Sequence, residues 1–421
     1  MKVLLIGLLG LLSASAGWAQ QESWTLYPSM REVRDVVWSG EALWGASPGA
    51  VFSYVQGAPE PFRIYTPTEG LQGNRPRALA WNPADQTLWI GHEGGLMDVL
   101  EPATGTVTTL RDIARATRFD VRDVRRMRRA GSRLLVSTSF GVVVYDLSER
   151  IVRESYTRVA SLNAGQAVND ALETNLSNLP VSLIATSEGV AIAERDGRNL
   201  QDPASWRLMN AGLLSRVVHQ LEVVNGHLYA GTESGLMRWT GTTWQLMGPG
   251  QPVRVLGTSG STLVAIGTQT VLRVDALGGM EAFPREGLLD PVAMLPSPQG
   301  FWVADRRRAI VPIGFSGSAL VTGAPLQAPG PDDALFTALA FQPDGTLWTT
   351  GTGVEAGFYR RTPEGVWTSF TPSNTPQLLP RTGLSLSAVH ADPQGTVWIG
   401  GSGDGVFSVS PTGTITRFGR Q

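Results

Sequence analysis

Along this chain apolar residues alternate with small or polar ones in runs of five or six, and the runs come in a recurring order. A period of two over such a length marks a half-buried strand. The paired strands are clearest in LWGASPGAVFSY (43 to 54), LWIGHEGGLMDVL (88 to 100), LLVSTSFGVVVYDL (134 to 147), LIATSEGVAIAE (183 to 194) and LYAGTESGLMRW (228 to 239). Four further copies are LVAIGTQTVLRVD (263 to 275), FWVADRRRAIVPI (301 to 313), LWTTGTGVEAGFYRR (347 to 361) and VWIGGSGDGVFSV (397 to 409). Just upstream, stretches such as RALAW (77 to 81) and LSAVH (386 to 390) predict another strand. Dipeptides such as Asn225-Gly226 and Asp344-Gly345 join it to the next, as two-residue hairpins require. A more polar fourth strand closes many units: FRIY (62 to 65), WQLM (244 to 247), WTSF (367 to 370) and ITRF (415 to 418).

One anchor per unit, namely Trp44, Trp89, Leu135, Ile184, Tyr229, Val264, Trp302, Trp348 and Trp398, recurs at intervals of 35 to 50 residues. Four strands in such a repeat predict an all-β fold, a β-propeller of about nine four-stranded antiparallel blades. Glycines let the sheets approach face to face, and the tryptophans fill the wedge between them. Nine exceeds the roughly 4 to 8 blades usual in one ring, so the expectation is one closed ring plus blades of a second, incomplete one. The segment SWTLYP (23 to 28) resembles a fourth strand yet precedes the first unit. The ninth unit carries its own outer strand at 414 to 418, so that segment has no obvious partner.

Composition narrows the chemistry. There are 49 glycines and 27 prolines, with 42% hydrophobic and 17% charged residues, too apolar for a disordered chain and too turn-rich for a helical one. The net charge is −2, from 34 basic and 36 acidic residues, which gives no bulk attraction to nucleic acid. The only lysine is Lys2 and there is no cysteine, so a P-loop lysine, Schiff-base chemistry, thiol nucleophiles and thiolate metal sites are all excluded. Residues 1 to 19 read as a secretory signal: Lys2, an apolar run from Val3 to Leu12, and small residues up to Ala19. An exported mature chain of propeller repeats, residues 20 to 421, is expected, soluble or peripheral to a membrane.

The strings LWIG-x-x-GGL (88 to 96), YAGT-x-SGL (229 to 236) and VWIGG (397 to 401) resemble the repeat of two-component-regulator propellers. More specific is the succession SWTLYPSM (23 to 30), TPTEGL (66 to 71), LRDI (110 to 113), SFGVVVYDL (139 to 147) and EGVAIAERDGRNLQDPASW (188 to 206). It resembles the propeller region of PorZ-type proteins of the type IX secretion system. That resemblance implies a non-catalytic member of the attachment complex, with the PorU sortase and other complex proteins as partners. It also implies binding of anionic lipopolysaccharide and a place at the outer-membrane surface or in the periplasm. PorZ-type chains are expected to carry two seven-bladed rings and a sorting domain, against nine units in this sequence.

The densest charge feature is Arg122, Arg125, Arg126, Arg128, Arg129 and Arg133, on the first strand of unit three and its hairpin. Guanidinium groups suit phosphate or carboxylate recognition, and these six form the candidate site for an anionic glycan. The plainer alternative is a solvated rim paired with Asp112, Asp120 and Asp123. Arg306, Arg307 and Arg308 read as a solvated loop, and His219 and His390 as structural histidines near the channel wall. No metal site and no cofactor are expected. The Asp344-Gly345 and Gln394-Gly395 turns read as hairpins rather than calcium loops. The run at 400 to 405 lacks the following helix that a phosphate loop needs. Three functions remain: the type IX scaffold, the periplasmic sensor propeller of a two-component regulator, and a propeller lyase or lactonase, against which the absence of a catalytic constellation argues.

Overall fold

The computed structural model describes residues 25–333, 335–353, 356–378, 384–403 and 405–419; the expected signal sequence lies outside them. Seven four-stranded antiparallel meanders follow one another. They are blade 1 (35–65), blade 2 (76–110), blade 3 (124–156), blade 4 (168–208), blade 5 (218–247), blade 6 (253–284) and blade 7 (291–322). The first strand of each is innermost: Asp35–Trp38, Pro76–Asn82, Val124–Ala130, Val168–Leu176, Val218–Val224, Val253–Ser259 and Pro291–Ser297 lie side by side.

The core is divided among the blade boundaries. In the strand Thr87–His92, Leu88 and Ile90 face blade 1, where they meet Trp44 and Val51. Trp89 points the other way and packs with Val124, Met127 and Tyr145 of blade 3. Both faces of a blade are therefore apolar, and alternation serves two cores at once. Equivalent clusters occupy each later boundary. Another joins Ala293, Ala304 and Ile310 of blade 7 to Val36, Leu43 and Phe52 of blade 1. Each large side chain so buried contributes about 1.5–3 kcal/mol. The glycine of LWIG has a steric cause: a Cβ at Gly91 would lie 2.3 Å from Val124 Cγ1 across the boundary.

Two expectations fail. Among the described residues there are seven blades, not nine: units eight and nine form one curled eight-stranded sheet. The strand Leu347–Gly353 runs past the point where its counterparts turn. Its last residues, Thr352 and Gly353, pair with Ser385 and Leu384 of the strand Leu384–Ala391. The repeat length marks a unit but does not say whether adjacent units pack face to face or join edge to edge. A separate cluster with Trp348, Phe358, Leu386 and Phe407 forms the core of this sheet. Residues 25–28 form no strand either. Tyr27 packs edge-on against Trp367, at 5.6 Å between centroids, beneath the Arg361 guanidinium. Ser29 donates to the Asp332 carbonyl at 2.9 Å while its own carbonyl accepts from Ser47. The N-terminal segment thus links blade 1 to unit eight. No helix among the described residues is long and apolar enough to cross a membrane.

Candidate functional site

Near the start of the inner strand in blades 2 to 7, the ladder to the second strand skips one residue. The skipped residues are Arg77, Arg125, Asn169, His219, Arg254 and Val292. A β-bulge of this kind frees one side chain from the pleat and re-aims it. Arg34 holds the corresponding place before the inner strand of blade 1, since Val37 faces Trp44 as Ala80 faces Trp89. All seven side chains line one cavity of about 410 Å³ at the mouth between the inner strands. Arg126 and Arg306 complete its cationic lining, and Glu32, Asp35, Glu93 and Asp290 supply the acids.

The residue after the bulge tends to reach the neighbouring blade. Asp35 accepts from the Leu79 amide at 2.8 Å, Asp170 from Leu221 at 2.9 Å and Gln220 from Leu256 at 3.0 Å. These bonds satisfy inner-strand donors that have no further strand to pair with. Burial pushes the Asp35 carboxyl up to about 6, against the opposing pull of Arg126, the Leu79 and Val36 amides and Arg128. Burial likewise lowers His219, partly offset by its 2.8 Å contact with Glu233 and reinforced by Arg254 and Arg126.

The six arginines singled out in the sequence do not converge on one point. Arg125 and Arg126 reach the mouth. Arg125 donates to Asn169 Oδ1 at 2.8 Å, and the nearest carboxylate oxygen to Arg126 is Asp170 Oδ1 at 3.9 Å. Arg128 lies deeper, bound to Asp170 through two nitrogens and to Glu222 and the Leu221 carbonyl. Burial works against its charge, but Asp170 and Glu222 more than offset this and hold it protonated. Arg129 lies at the hairpin and donates to the Gly131 carbonyl. Arg133, at the start of the second strand of blade 3, pairs with Glu154 of its own blade and with Glu173 on the inner strand of blade 4. Arg122 precedes the strand, its Nε buried without a hydrogen-bond partner among the described residues. Of the acids expected as rim partners, Asp123 meets Arg77 at 3.7 Å, while Asp112 accepts from Tyr145.

Sequence reasoning missed Arg34, Arg77 and Arg254, each isolated in its own repeat. The signal was present in register: Val33-Arg34-Asp35, Pro76-Arg77-Ala78, Val124-Arg125-Arg126 and Val253-Arg254-Val255 place arginine after the same apolar position. The run 306 to 308 is also divided, since Arg306 lines the mouth while Arg308 donates to the Gly287 carbonyl. His219 is on the cavity wall as expected, whereas His390 belongs to the eight-stranded sheet. The Asp344 and Asp392 carboxylates accept from amides of their own hairpins. Asp404, within the glycine-rich run at 400 to 405, lies outside the described residues. No group of three or more potential metal ligands occurs among the described residues.

The molecule is thus a β-propeller of seven blades with a cationic mouth, carrying an additional eight-stranded sheet. Residues 43–207 match the family model of the PorZ N-terminal β-propeller domain of the type IX secretion system, so the resemblance read from the landmark order is shown over that stretch. The fold is similar to that of PorZ from Porphyromonas gingivalis, described as an essential bacterial surface component of that system, with a TM-score of 0.76 and 18% identity. The match covers 94% of this chain and 53% of PorZ, so the chain spans about half the length of that protein. The extracellular domain of a putative hybrid two-component system from B. thetaiotaomicron aligns with a TM-score of 0.53 and 14% identity, over 92% of this chain and 58% of that one. The WD40 propeller of Doa1 aligns at 0.51 and 16% identity, over 68% and 93%. No curated protein matches by sequence.

Proposed function

We propose that this chain is a non-catalytic, exported propeller of the type IX secretion attachment complex. In this reading it stands at the outer-membrane surface, engages partner proteins such as the PorU sortase, and binds anionic lipopolysaccharide. The observation that carries it is the match of residues 43–207 to the PorZ N-terminal propeller. The expected signal at residues 1 to 19 and the cationic mouth agree with it. The seven blades close on themselves, blade 7 against blade 1, and Arg125 and Arg126 are the members of the sequence cluster that meet the anion. Arg128 and Arg133 serve instead to hold blades together.

A second reading, the periplasmic sensor propeller of a two-component regulator, draws on the shared repeat and on the similarity to the B. thetaiotaomicron domain. Deleting the gene in the producing bacterium separates the two. Loss of surface-attached type IX cargo, with unprocessed cargo retained in the cell, is the outcome expected of the scaffold. Normal cargo with an altered transcript profile would overturn it in favour of the sensor.

A further inference from the structure

Six guanidinium groups and four carboxylates, Glu32, Asp35, Glu93 and Asp290, line the mouth, and the cations are paired unevenly. Arg34 is taken up by Glu32 and Glu93, each at 2.7 Å. Arg254 has Glu233 at 3.1 Å and Arg306 has Asp290 at 3.8 Å. Arg125, by contrast, donates to the neutral amide of Asn169. Arg126 has no carboxylate within hydrogen-bond distance: Asp170, at 3.9 Å, already accepts from Arg128 Nε at 2.8 Å, and Asp35, which Arg126 also attracts, is held toward its protonated form by burial. Arg77, beside Arg125, has its closest carboxylate at 3.7 Å. Three guanidinium groups on two adjacent blades therefore face one cavity with donors to spare. Like charges held this close raise the energy of the empty site, and an anion between them lowers it.

The arrangement discriminates between anions. A planar carboxylate is matched by a single guanidinium fork. Donors arriving from separate strands suit a tetrahedral group with three outward oxygens. The cavity, about 410 Å³, is larger than a bare ion needs and falls within the usual span for small organic ligands, roughly 300–1,000 Å³. Pro291, Val292 and Ala293 give one wall an apolar surface on which a carbon skeleton can rest.

We infer that the mouth of the propeller is a binding site for a phosphate monoester of sugar size, its phosphoryl oxygens held by Arg77, Arg125 and Arg126. This rests on the anionic-ligand part of the reading above and is independent of the secretion assignment. The same group is presented by a free sugar phosphate or by the end of a phosphorylated glycan.

The test is calorimetric titration of the purified protein at low salt with glucose 6-phosphate, glucuronate and glucose. Glucose 6-phosphate is expected to bind at least tenfold more tightly than glucuronate, with glucose silent. The double variant Arg125→Gln/Arg126→Gln should lose tenfold or more. The double lysine variant, which keeps the charge and removes the fork, should fall between. Arg129→Gln, outside the mouth, should bind as the parent does. Superimposable thermal melts establish that each variant is folded.

Equal affinity of parent and double glutamine variant, or glucuronate binding as tightly as glucose 6-phosphate, overturns the inference. Anionic lipopolysaccharide titrated in parallel separates the two readings. Its binding without any response to glucose 6-phosphate removes the phosphate site alone, and silence of both removes the anionic reading as well. Where glucose 6-phosphate binds, a phosphomannan that binds more tightly and is displaced by it identifies a glycan-borne group. A phosphomannan that fails to bind identifies a free sugar phosphate.

Discussion

Asp35 is the residue at which local chemistry and stability meet most directly. Its carboxyl is pushed up to about 6 by burial, from an ordinary value of 3.8. The folded chain therefore keeps this proton through a pH range in which the unfolded chain has released it. Folding is then favoured by protonation: the contribution is fully present below about 3.8, declines as pH rises, and is lost above about 6. Asp35→Asn retains an oxygen to accept from Leu79 and cannot ionise. Relative to the parent, it should melt higher at pH 7.5, with the difference shrinking toward pH 4.5. A difference that is constant across this range, or that widens toward acid, would show that Asp35 is not held proton-rich by the fold. At this scale the sequence was only partly legible. The density of arginines in unit three pointed to blade 3, which supplies Arg125 and Arg126 to the cavity, but charge density ignores direction. Arg125 and Arg126 reach the mouth while Arg128, two residues further on, is consumed by Asp170 and Glu222. The bulge singles out Arg125 alone; Arg126 and Arg128 both sit on the regular ladder, opposite Ser137 and Leu135, and differ in the acids within their reach.

Strands and turns were the most readable level. Alternation located the second and third strands of every unit, and the Asn225-Gly226 turn adopts the positive φ values, 52° and 75°, that its dipeptide implies. The reason is that a blade is a local meander whose hydrogen bonds join neighbours in sequence. The face-to-face contact of blades is less local and is set by side-chain volume, as Gly91 shows. Gly91→Ala would bring a methyl group against Val124, a residue with no exposed surface. Overpacking of this kind costs about 1–3 kcal/mol. The unfolding midpoint in urea should drop accordingly, and Val124→Ala in the same chain should restore part of the loss, because the two changes share one contact. Purely additive losses would mean that the glycine answers to something other than that contact.

For the whole molecule, the repeat gave the number of units correctly and their assembly incorrectly. Nine copies are present, but the Thr352–Ser385 and Gly353–Leu384 pairing fuses the last two. Nothing in the hydrophobic pattern of residues 347 to 353 distinguishes a strand that ends from one that continues into a neighbour. The division has an energetic counterpart. The clusters at the blade boundaries draw on residues from Met30 to Ala328, and the eight-stranded sheet has its own. A chain comprising residues 20 to 333 is therefore expected to fold by itself, melting cooperatively with the β-rich far-ultraviolet spectrum of the parent. A fragment that precipitates or melts without a transition would mean that the Tyr27–Trp367 and Ser29–Asp332 contacts are indispensable to the propeller.

The recurring bulge separates two jobs that a strand usually performs together. A side chain on a regular ladder must satisfy a packed neighbour, so its identity is constrained by volume. The extra residue in each inner strand escapes that constraint, and across blades 2 to 7 it is arginine, asparagine, histidine or valine while the adjoining cores keep their shape. The propeller thus presents a display panel whose characters can be rewritten one at a time without disturbing the frame that carries it.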